Sequence, residues 1–219
     1  MYKEIRLQID RLRAKHDALF QFSDPAETDK LLSFFTRIVT KVTDSERCSV
    51  FINDPKKHKA WLKAGTGLQE HEIEVPTEGS VVGKVISSGE PIVITDFDNK
   101  SLASKTIDEK TGFITRNILC VPIKSPSRPE VTGAFELLNK KNGLSYTDED
   151  MALAQEIAEH LQTHVDVIFL GQEIFGLSEQ LYSAATKTTK FLVGSIVILL
   201  LILFLVIVVY ASTPLFFAD

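Results

Sequence analysis

Few residues in the sequence have the types and spacing that chemistry at a site requires. His160 and His164 are four residues apart in a stretch with helical periodicity, and two imidazoles at this spacing can share a metal ion. No Glu follows His160 and no third ligand lies nearby, so we expect these histidines to pack on a helix face. The sequence contains neither a Gly-Lys-Ser phosphate loop nor a nucleophile elbow. We therefore expect no metal, no cofactor and no catalytic residue.

The cysteines and the charge balance exclude further kinds of site. Cys48 and Cys120 each lie in an apolar run, where a thiol is usually buried and inert. Two cysteines are too few for a disulfide framework or a Cys-rich zinc site. The chain has 24 Lys and Arg against 29 Asp and Glu, a net charge of −5, without a basic cluster. Because phosphate neutralisation supplies most of the affinity for nucleic acids, no nucleic-acid partner is expected.

A long apolar segment near the C-terminus predicts a membrane anchor. Residues 191–210 carry no charge, and a helix of this length spans a hydrocarbon core of about 30 Å. Lys187 and Lys190 precede the segment and only Asp219 is charged after it, which places the N-terminal side in the cytoplasm. The N-terminus has no apolar signal-peptide core. The sequence thus predicts a single-pass protein of the cell (inner) membrane, with residues 211–219 as a short non-cytosolic tail.

Two amphipathic helices are predicted before the first strand. Apolar positions recur in the first helix, residues 1–24, at steps of three and four: Tyr2, Ile5, Ile9, Leu12, His16 and Leu19. This spacing suits either pairing with a second copy of the chain or packing on the chain's own domain. Ser23-Asp24-Pro25 interrupts the pattern, and a second helix follows.

The period then changes from helical to extended. Strands are predicted at residues 48–52, 58–64, 72–76, 91–94, 118–123 and 131–139, with a short helix at 79–88 that Gly89 closes. A long polar connection precedes the fifth strand. Asp148 begins a long helix, whose continuation Gly171 and Gly176 are expected to weaken. The order predicts an α+β domain with a largely antiparallel sheet at 25–170, followed by a connector at 171–190.

Five segments carry a resemblance to a known family. They are ERCSVFIND, EGSVVGKVISSGEPIVITD, DEKTGFITRNILCVPIKS, VTGAFELLNKKNG and YTDED. In this order and spacing the chain resembles a GAF domain over residues 25–168, of the type found in cyclic-nucleotide phosphodiesterases and some adenylyl cyclases. The resemblance implies a central antiparallel sheet flanked by helices, together with a ligand pocket.

The resemblance also implies which residues line that pocket. Thr111 and Thr115 would supply hydroxyl donors from the segment that covers the ligand. Ser49 on the first strand would touch the ligand, and Glu136 would line the floor. Residues 100–104 stand where relatives carry an Arg-Phe pair, which removes partners that a purine would use. A cyclic nucleotide, another small ligand and an empty pocket remain alternatives.

A family motif near the end of the sheet implies a structural lock. The motif has Asn-Lys, then Phe, then Asp-Glu, and the corresponding residues here are Asn139, Lys140, Leu144, Asp148 and Glu149. In the lock, an ion pair between Lys140 and Asp148 would close the pocket. The same stretch suits a purely structural role, because Asn142-Gly143 favours a turn and acidic residues favour a helix start. We favour the structural role.

The domain organisation narrows the function. No enzymatic or DNA-binding output domain accompanies the predicted GAF domain in this sequence, so an output would pass through another protein. We predict a membrane-anchored, non-catalytic adaptor or subunit of a membrane-associated complex, acting through protein–protein contacts and able to pair with a second copy through its N- and C-terminal helices. The alternative is a receptor for a small ligand, a cyclic nucleotide among the candidates, that signals to a partner through its terminal helices.

Overall fold

The computed structural model describes residues 25–97 and 112–212, together with four helical residues, Leu7, Asp10, Arg11 and Ala14. Its elements are helix α1 (Pro25–Val42), strands β1 (Ser45–Asp54), β2 (Lys59–Gly65) and β3 (Glu74–Pro76), helix α2 (Val81–Ser88), strands β4 (Ile92–Ile94), β5 (Ile118–Lys124) and β6 (Val131–Lys140), a 3₁₀ turn (Lys141–Gly143) and helix α3 (Asp148–Ser212). The predicted α+β order is confirmed. The apolar positions of the helix predicted at 1–24 lie outside the described residues, as do residues 98–111 and 213–219.

The six strands form an antiparallel sheet in the order β3-β2-β1-β6-β5-β4. The long central strands β1 and β6 pair from Ser45 opposite Lys140 to Ile52 opposite Gly133. Gly133 is needed here, because a Cβ at this position would lie 2.3 Å from the carbonyl oxygen of Phe51. The central pair of strands carries both Ser49 and Glu136.

Helices cover both faces of the sheet. On one face, apolar residues of α1 and of the first part of α3 bury the inward side chains of the central strands, as Leu32 and Leu161 do. On the other face, Val82, Val85 and Ile86 of α2 are buried against the sheet. Alternation along each strand therefore sends successive side chains to two different apolar layers.

Helix α2 begins at Val81, two residues later than predicted, and is closed by the predicted Gly89. Ser80 is its N-cap, with Oγ accepting a hydrogen bond from the Gly83 amide at 3.0 Å. Gly89 closes the helix in the left-handed conformation, with φ of 69°. The helix predicted at 79–88 is thus confirmed to within two residues.

Helix α3 is longer than predicted. It continues through Gly171 and Gly176, and the segment predicted as a connector at 171–190 is helical. An isolated glycine costs about 1 kcal/mol in a helix, which good helix formers on either side can offset. The chain divides into two compact units: Arg11–Glu173, which holds the sheet, and a second unit formed by Met1–Asp10 and Ile174–Asp219.

Candidate functional site

A row of side chains crosses the sheet on the face that α2 covers. Register places Ser49 of β1 opposite Glu136 of β6, and Glu136 opposite Cys120 of β5. Directly opposite residues project to the same face of a sheet. All three are buried, with exposed fractions of 3%, 9% and 0% in that order. Two of the predicted pocket residues, Ser49 and Glu136, are therefore neighbours on one floor.

The acid on this floor has an unusual electrostatic environment. Burial raises the pKa of Glu136 to about 7, because removing a carboxylate from water disfavours its charged form. Within the described residues, the carboxyl group makes no hydrogen bond and no ion pair. Burial also raises the pKa of Cys48 and Cys120, to which the charge of Glu136 adds, so both thiols are the inert buried groups that the sequence predicts.

The segment before β5, residues 112–117, is held at the edge of the floor by Asn139. The Asn139 side chain is fully buried, and its Oδ1 accepts a hydrogen bond from the Arg116 amide at 2.7 Å. Its Nδ2 donates to the carbonyl oxygen of Ile114 at 2.8 Å and to Glu46 at 2.9 Å. Thr115 lies on this segment and is buried, with 9% exposed. Thr111, the other predicted hydroxyl donor, lies outside the described residues.

Asn117 completes this arrangement from the other side. Its Oδ1 accepts from the Lys140 amide at 2.8 Å, and its backbone carbonyl accepts from the Asn139 amide at 2.9 Å. Neither Asn117 nor Glu46 is predicted from the sequence. Asn117 directly precedes an apolar strand, but nothing local indicates a partner 22 residues away.

The predicted lock is made with a different acid. Lys140 pairs with Asp150, two residues beyond the predicted Asp148, which instead begins α3. Asp150 also accepts a hydrogen bond from the Thr147 amide at 2.8 Å, while the Asp150 amide donates to Thr147 Oγ1 at 3.3 Å. This reciprocal capping arrangement requires an acid three residues after the cap, which explains the position. Burial raises the pKa of Asp150, but the hydrogen bonds from Lys140 and Thr147 outweigh it and lower the value.

The paired histidines have different surroundings. His164 Nδ1 lies 3.1 Å from the hydroxyl of Thr28 on α1, and burial lowers the pKa of His164. His160 is exposed on α3. His164 thus packs between α1 and α3 as predicted, whereas the prediction is wrong for His160, whose side chain is exposed to solvent.

An open groove of about 1150 Å³ lies where β1 ends and β6 begins, at the end of the central strands away from Asn139 and Lys140. It is formed by the β1–β2 turn, the entry and exit of α2, and the β5–β6 turn. Asn53 Oδ1 and Thr77 Oγ1 belong to lining residues and are buried without a partner in the described part of the chain. Three carboxylates, a lysine and a histidine also line it: Glu78, Glu90, Glu130, Lys124 and His58.

The floor around Glu136 has chemistry suited to binding. With a pKa near 7, the carboxyl group is able both to donate and to accept hydrogen bonds at neutral pH. Ser49 offers a hydroxyl beside it. A small number of polar groups among mostly apolar lining residues is typical of small-molecule sites.

Comparisons with known proteins agree with the fold. A family model described as a GAF domain matches residues 27–165. A probable 3′,5′-cyclic phosphodiesterase of Caenorhabditis elegans is 30% identical over 143 residues, 59% of this chain and 19% of that protein. A dual 3′,5′-cyclic-AMP and -GMP phosphodiesterase of Takifugu rubripes is 30% identical over 126 residues, 52% of this chain and 14% of that protein. The chain thus spans less than a fifth of the length of these relatives.

A solved structure is similar in fold. The GAF domain of a phosphoenolpyruvate-protein phosphotransferase from Coxiella burnetii superposes with a TM-score of 0.57 at 18% sequence identity. The match covers 75% of this chain and 94% of that one. Likeness at this identity concerns the fold alone.

Proposed function

Because the chain belongs to the GAF domain family, we propose that it is a membrane-anchored, non-catalytic regulatory protein that acts as an adaptor or subunit of a membrane-associated complex. GAF domains are commonly regulatory, ligand-binding signalling domains. The observation that carries the proposal is the run of exposed apolar side chains at 191–209 of α3, interrupted only by Gly194 and Ser195.

The physics of this run favours lipid over water. Each Leu, Ile, Val or Phe side chain gains about 1.5–3 kcal/mol when it leaves water completely. Summed over the run, transfer into a bilayer is favourable by an amount on the order of tens of kcal/mol. Of the described helices, α3 is the one long and apolar enough to cross a membrane, and its apolar window is entirely unburied. Lys187 and Lys190 support a cytoplasmic location for the domain.

A surface on α1 supports a protein partner. Phe34, Ile38 and Val42 follow one another at four-residue spacing and are 46%, 39% and 65% exposed. Residues at this spacing share one side of a helix. We propose that this α1 stripe contacts a partner helix, supplied either by another membrane-associated protein or by a second copy of the chain.

Membrane fractionation tests the anchor. The full chain is expected to stay in the membrane pellet after alkaline carbonate extraction. The matched variant Leu200→Arg with Leu203→Arg, which places two charges in the apolar run, is expected to be released. On the bilayer-insertion scale each apolar residue of the run contributes only about 0.3–0.6 kcal/mol, so two charges at about 3 kcal/mol each at the bilayer centre offset most of the favourable total. Recovery of the unchanged chain in the soluble fraction would contradict the anchor.

Mild-detergent purification tests the partner. We expect the full chain to co-purify with another membrane protein or as a homodimer, and Phe34→Glu with Ile38→Glu to lose that component. Lys30→Glu, on an exposed position of the same helix, is the control and is expected to retain it. A monomer without a partner would argue against this role.

The floor around Glu136 supports a second candidate, a receptor for a small ligand. Its observation is the pair Ser49 and Glu136, both buried and without side-chain partners among the described residues. The relatives named as cyclic phosphodiesterases make cyclic nucleotides the first ligands to examine. A rise in the melting temperature of the detergent-solubilised chain with cyclic AMP or cyclic GMP, lost in Ser49→Ala and Thr115→Ala, would favour the receptor over the ligand-free adaptor.

A further inference from the structure

One arginine joins the β5–β6 turn to the last part of the domain's final helix. Arg128 lies in that turn, and its guanidinium nitrogens are 3.1 Å from Asp166 and 3.0 Å from Glu173. It also pairs with Glu130 of its own turn at 3.0 Å and lies over the Phe169 ring, 5.0 Å from the centroid. A single side chain therefore holds two acids that are two helical turns apart on α3.

This cluster is buried, yet its hydrogen bonding is incomplete. The side chain of Arg128 is 12% exposed and that of Asp166 is fully buried. Arg128 Nε and Asp166 Oδ2 are both buried without a partner in the described part of the chain. Breaking a buried pair leaves an uncompensated charge, whereas unfilled hydrogen-bonding positions weaken the closed arrangement. Opening this cluster therefore costs less free energy than opening one in which every polar atom had a hydrogen-bond partner.

A second polar attachment holds the same stretch of α3. Gln172 Oε1 accepts a hydrogen bond from Trp61 Nε1 at 3.0 Å, and Gln172 Nε2 donates to the backbone carbonyl of Asn53. Asn53 Nδ2 in turn donates to the carbonyl oxygen of Val131, at the start of β6. The first attachment therefore connects residues 166–173 to the β5–β6 turn, and the second connects them to strands β1 and β2.

The position of these contacts along the chain gives them a role. Glu173 is the last residue of the unit that contains the sheet, and the other unit resumes at Ile174. We propose that Arg128 is a releasable clamp: closed, it fixes residues 166–173 of α3 to the sheet, and opened, it frees this stretch and so changes the helix that leads to the apolar run. The inference rests on the proposed regulatory function, and it names the contact through which the sheet would act on α3.

Trp61 is a built-in reporter of this clamp. It is the one tryptophan of the chain, it is 7% exposed, it stacks on His71 with ring centroids 4.0 Å apart, and its indole bonds to Gln172. In the full chain in detergent micelles, Arg128→Leu is expected to shift Trp61 emission to longer wavelength and to accelerate its quenching by acrylamide. The shift should be at least as large as that of Gln172→Leu, which removes the reporting hydrogen bond directly.

Coupling distinguishes a clamp from an ordinary stabilising contact. If opening at Arg128 already breaks the Trp61–Gln172 bond, the double variant should shift no further than Arg128→Leu alone. Additive shifts would mean that the two attachments are independent and would overturn the proposal. Lys59→Met is the control, because it removes the Lys59–Glu74 pair on the strand that carries Trp61, and its emission should match the unchanged protein.

A milder variant covers the case in which Arg128→Leu does not fold, as judged by circular dichroism. Glu173→Gln removes one arm of the clamp, whose side chain is 27% exposed, and leaves the buried pair with Asp166 intact. It should shift Trp61 emission in the same direction by a smaller amount, and an unchanged spectrum would overturn the clamp. Because Trp61 emission requires neither a partner nor a bilayer, the carbonate and co-purification experiments remain separate tests of the proposed function.

Discussion

Replacing the buried acid Glu136 by Gln removes a carboxyl group whose ionisation makes the stability of the fold depend on pH. Burial raises the pKa of Glu136 from 4.5 to about 7. Each pKa unit corresponds to about 1.4 kcal/mol, so ionising this carboxyl group in the folded chain opposes folding by about 3 kcal/mol. Gln has nearly the same shape but no charge to desolvate. The variant should therefore be more stable than the unchanged chain wherever Glu136 is ionised.

The sign follows from proton binding. Between pH 4.5 and about 7 the folded state holds a proton on Glu136 that the unfolded state has lost. The stabilisation that comes from keeping Glu136 protonated is fully present below pH 4.5. It is lost as the pH rises through the folded-state pKa of about 7. The two proteins should have similar melting temperatures near the lower end of this window. Above it, Glu136→Gln should melt about 6–12 °C higher, at about 2–4 °C per kcal/mol for a domain of this size.

Thermal unfolding of the full chain in detergent micelles, followed through Trp61 fluorescence over this range of pH, measures the difference. Glu156→Gln is the matched control, because Glu156 is exposed on α3, and its melting temperature should track that of the unchanged chain at every pH. Parallel curves for Glu136→Gln and the unchanged chain would contradict this prediction, because they would mean that Glu136 is ionised in the folded state at no free-energy cost.

The remaining predictions concern the end of the sheet where β6 meets α3. Asp150→Ala removes the acceptor of the Thr147 amide at the start of α3 and the partner of Lys140, so it should lower the free energy of unfolding by about 2–3 kcal/mol. Asp148→Ala should lower it by less than about 1 kcal/mol. Equal losses in chemical denaturation would contradict the assignment of the lock to Asp150. Asn139→Ala should lower the free energy of unfolding by about 3 kcal/mol, because it leaves buried backbone groups unpaired and places Ala at φ of 57°. Asn139→Gly should recover about 1 kcal/mol of this loss, because glycine relieves only the backbone strain. The same denaturation measurement checks this order.

Among the described residues, the sequence predicts the strands, the short helix and their order, because these depend on local signals, whereas the segment predicted as a connector at 171–190 is helical. The short helix before Gly89 was bounded by a cap and a left-handed glycine, and the strands by their apolar runs and turn residues. The strand predicted at 48–52 begins earlier, at Ser45, because Ser45 and Arg47 continue the pairing with β6. Polar residues at a strand end carry no local sign of that pairing.

The candidate pocket residues follow from the family resemblance and remain a prediction, while the structure shows how they are placed. Ser49 and Glu136 are neighbours because the strand register places them opposite each other. Asn139 has a left-handed backbone, and its side-chain amide bonds to the Arg116 amide, to the Ile114 carbonyl oxygen and to Glu46, which is a structural role. The partner of Lys140 was placed two residues early, because the sequence does not reveal which of three adjacent acids faces it. The contact between Arg128 and Asp166, 38 residues apart, has no local signature.

The two ion-paired attachments of α3 together restrict how this helix can move. Lys140 holds Asp150 near its start, and Arg128 holds Asp166 about 24 Å further along, at about 1.5 Å per residue. Apolar packing between these points tolerates small shifts in position, whereas a paired charge allows only a few arrangements. Lys140 follows Asn139, which also orders the segment carrying Thr115, so this stretch of chain joins that segment to one attachment of α3, and the proposed clamp at Arg128 is the other attachment. With the proposed clamp open, α3 would keep its attachment at Lys140 and lose the one at Arg128, and a change of this kind is what the proposed regulatory function requires.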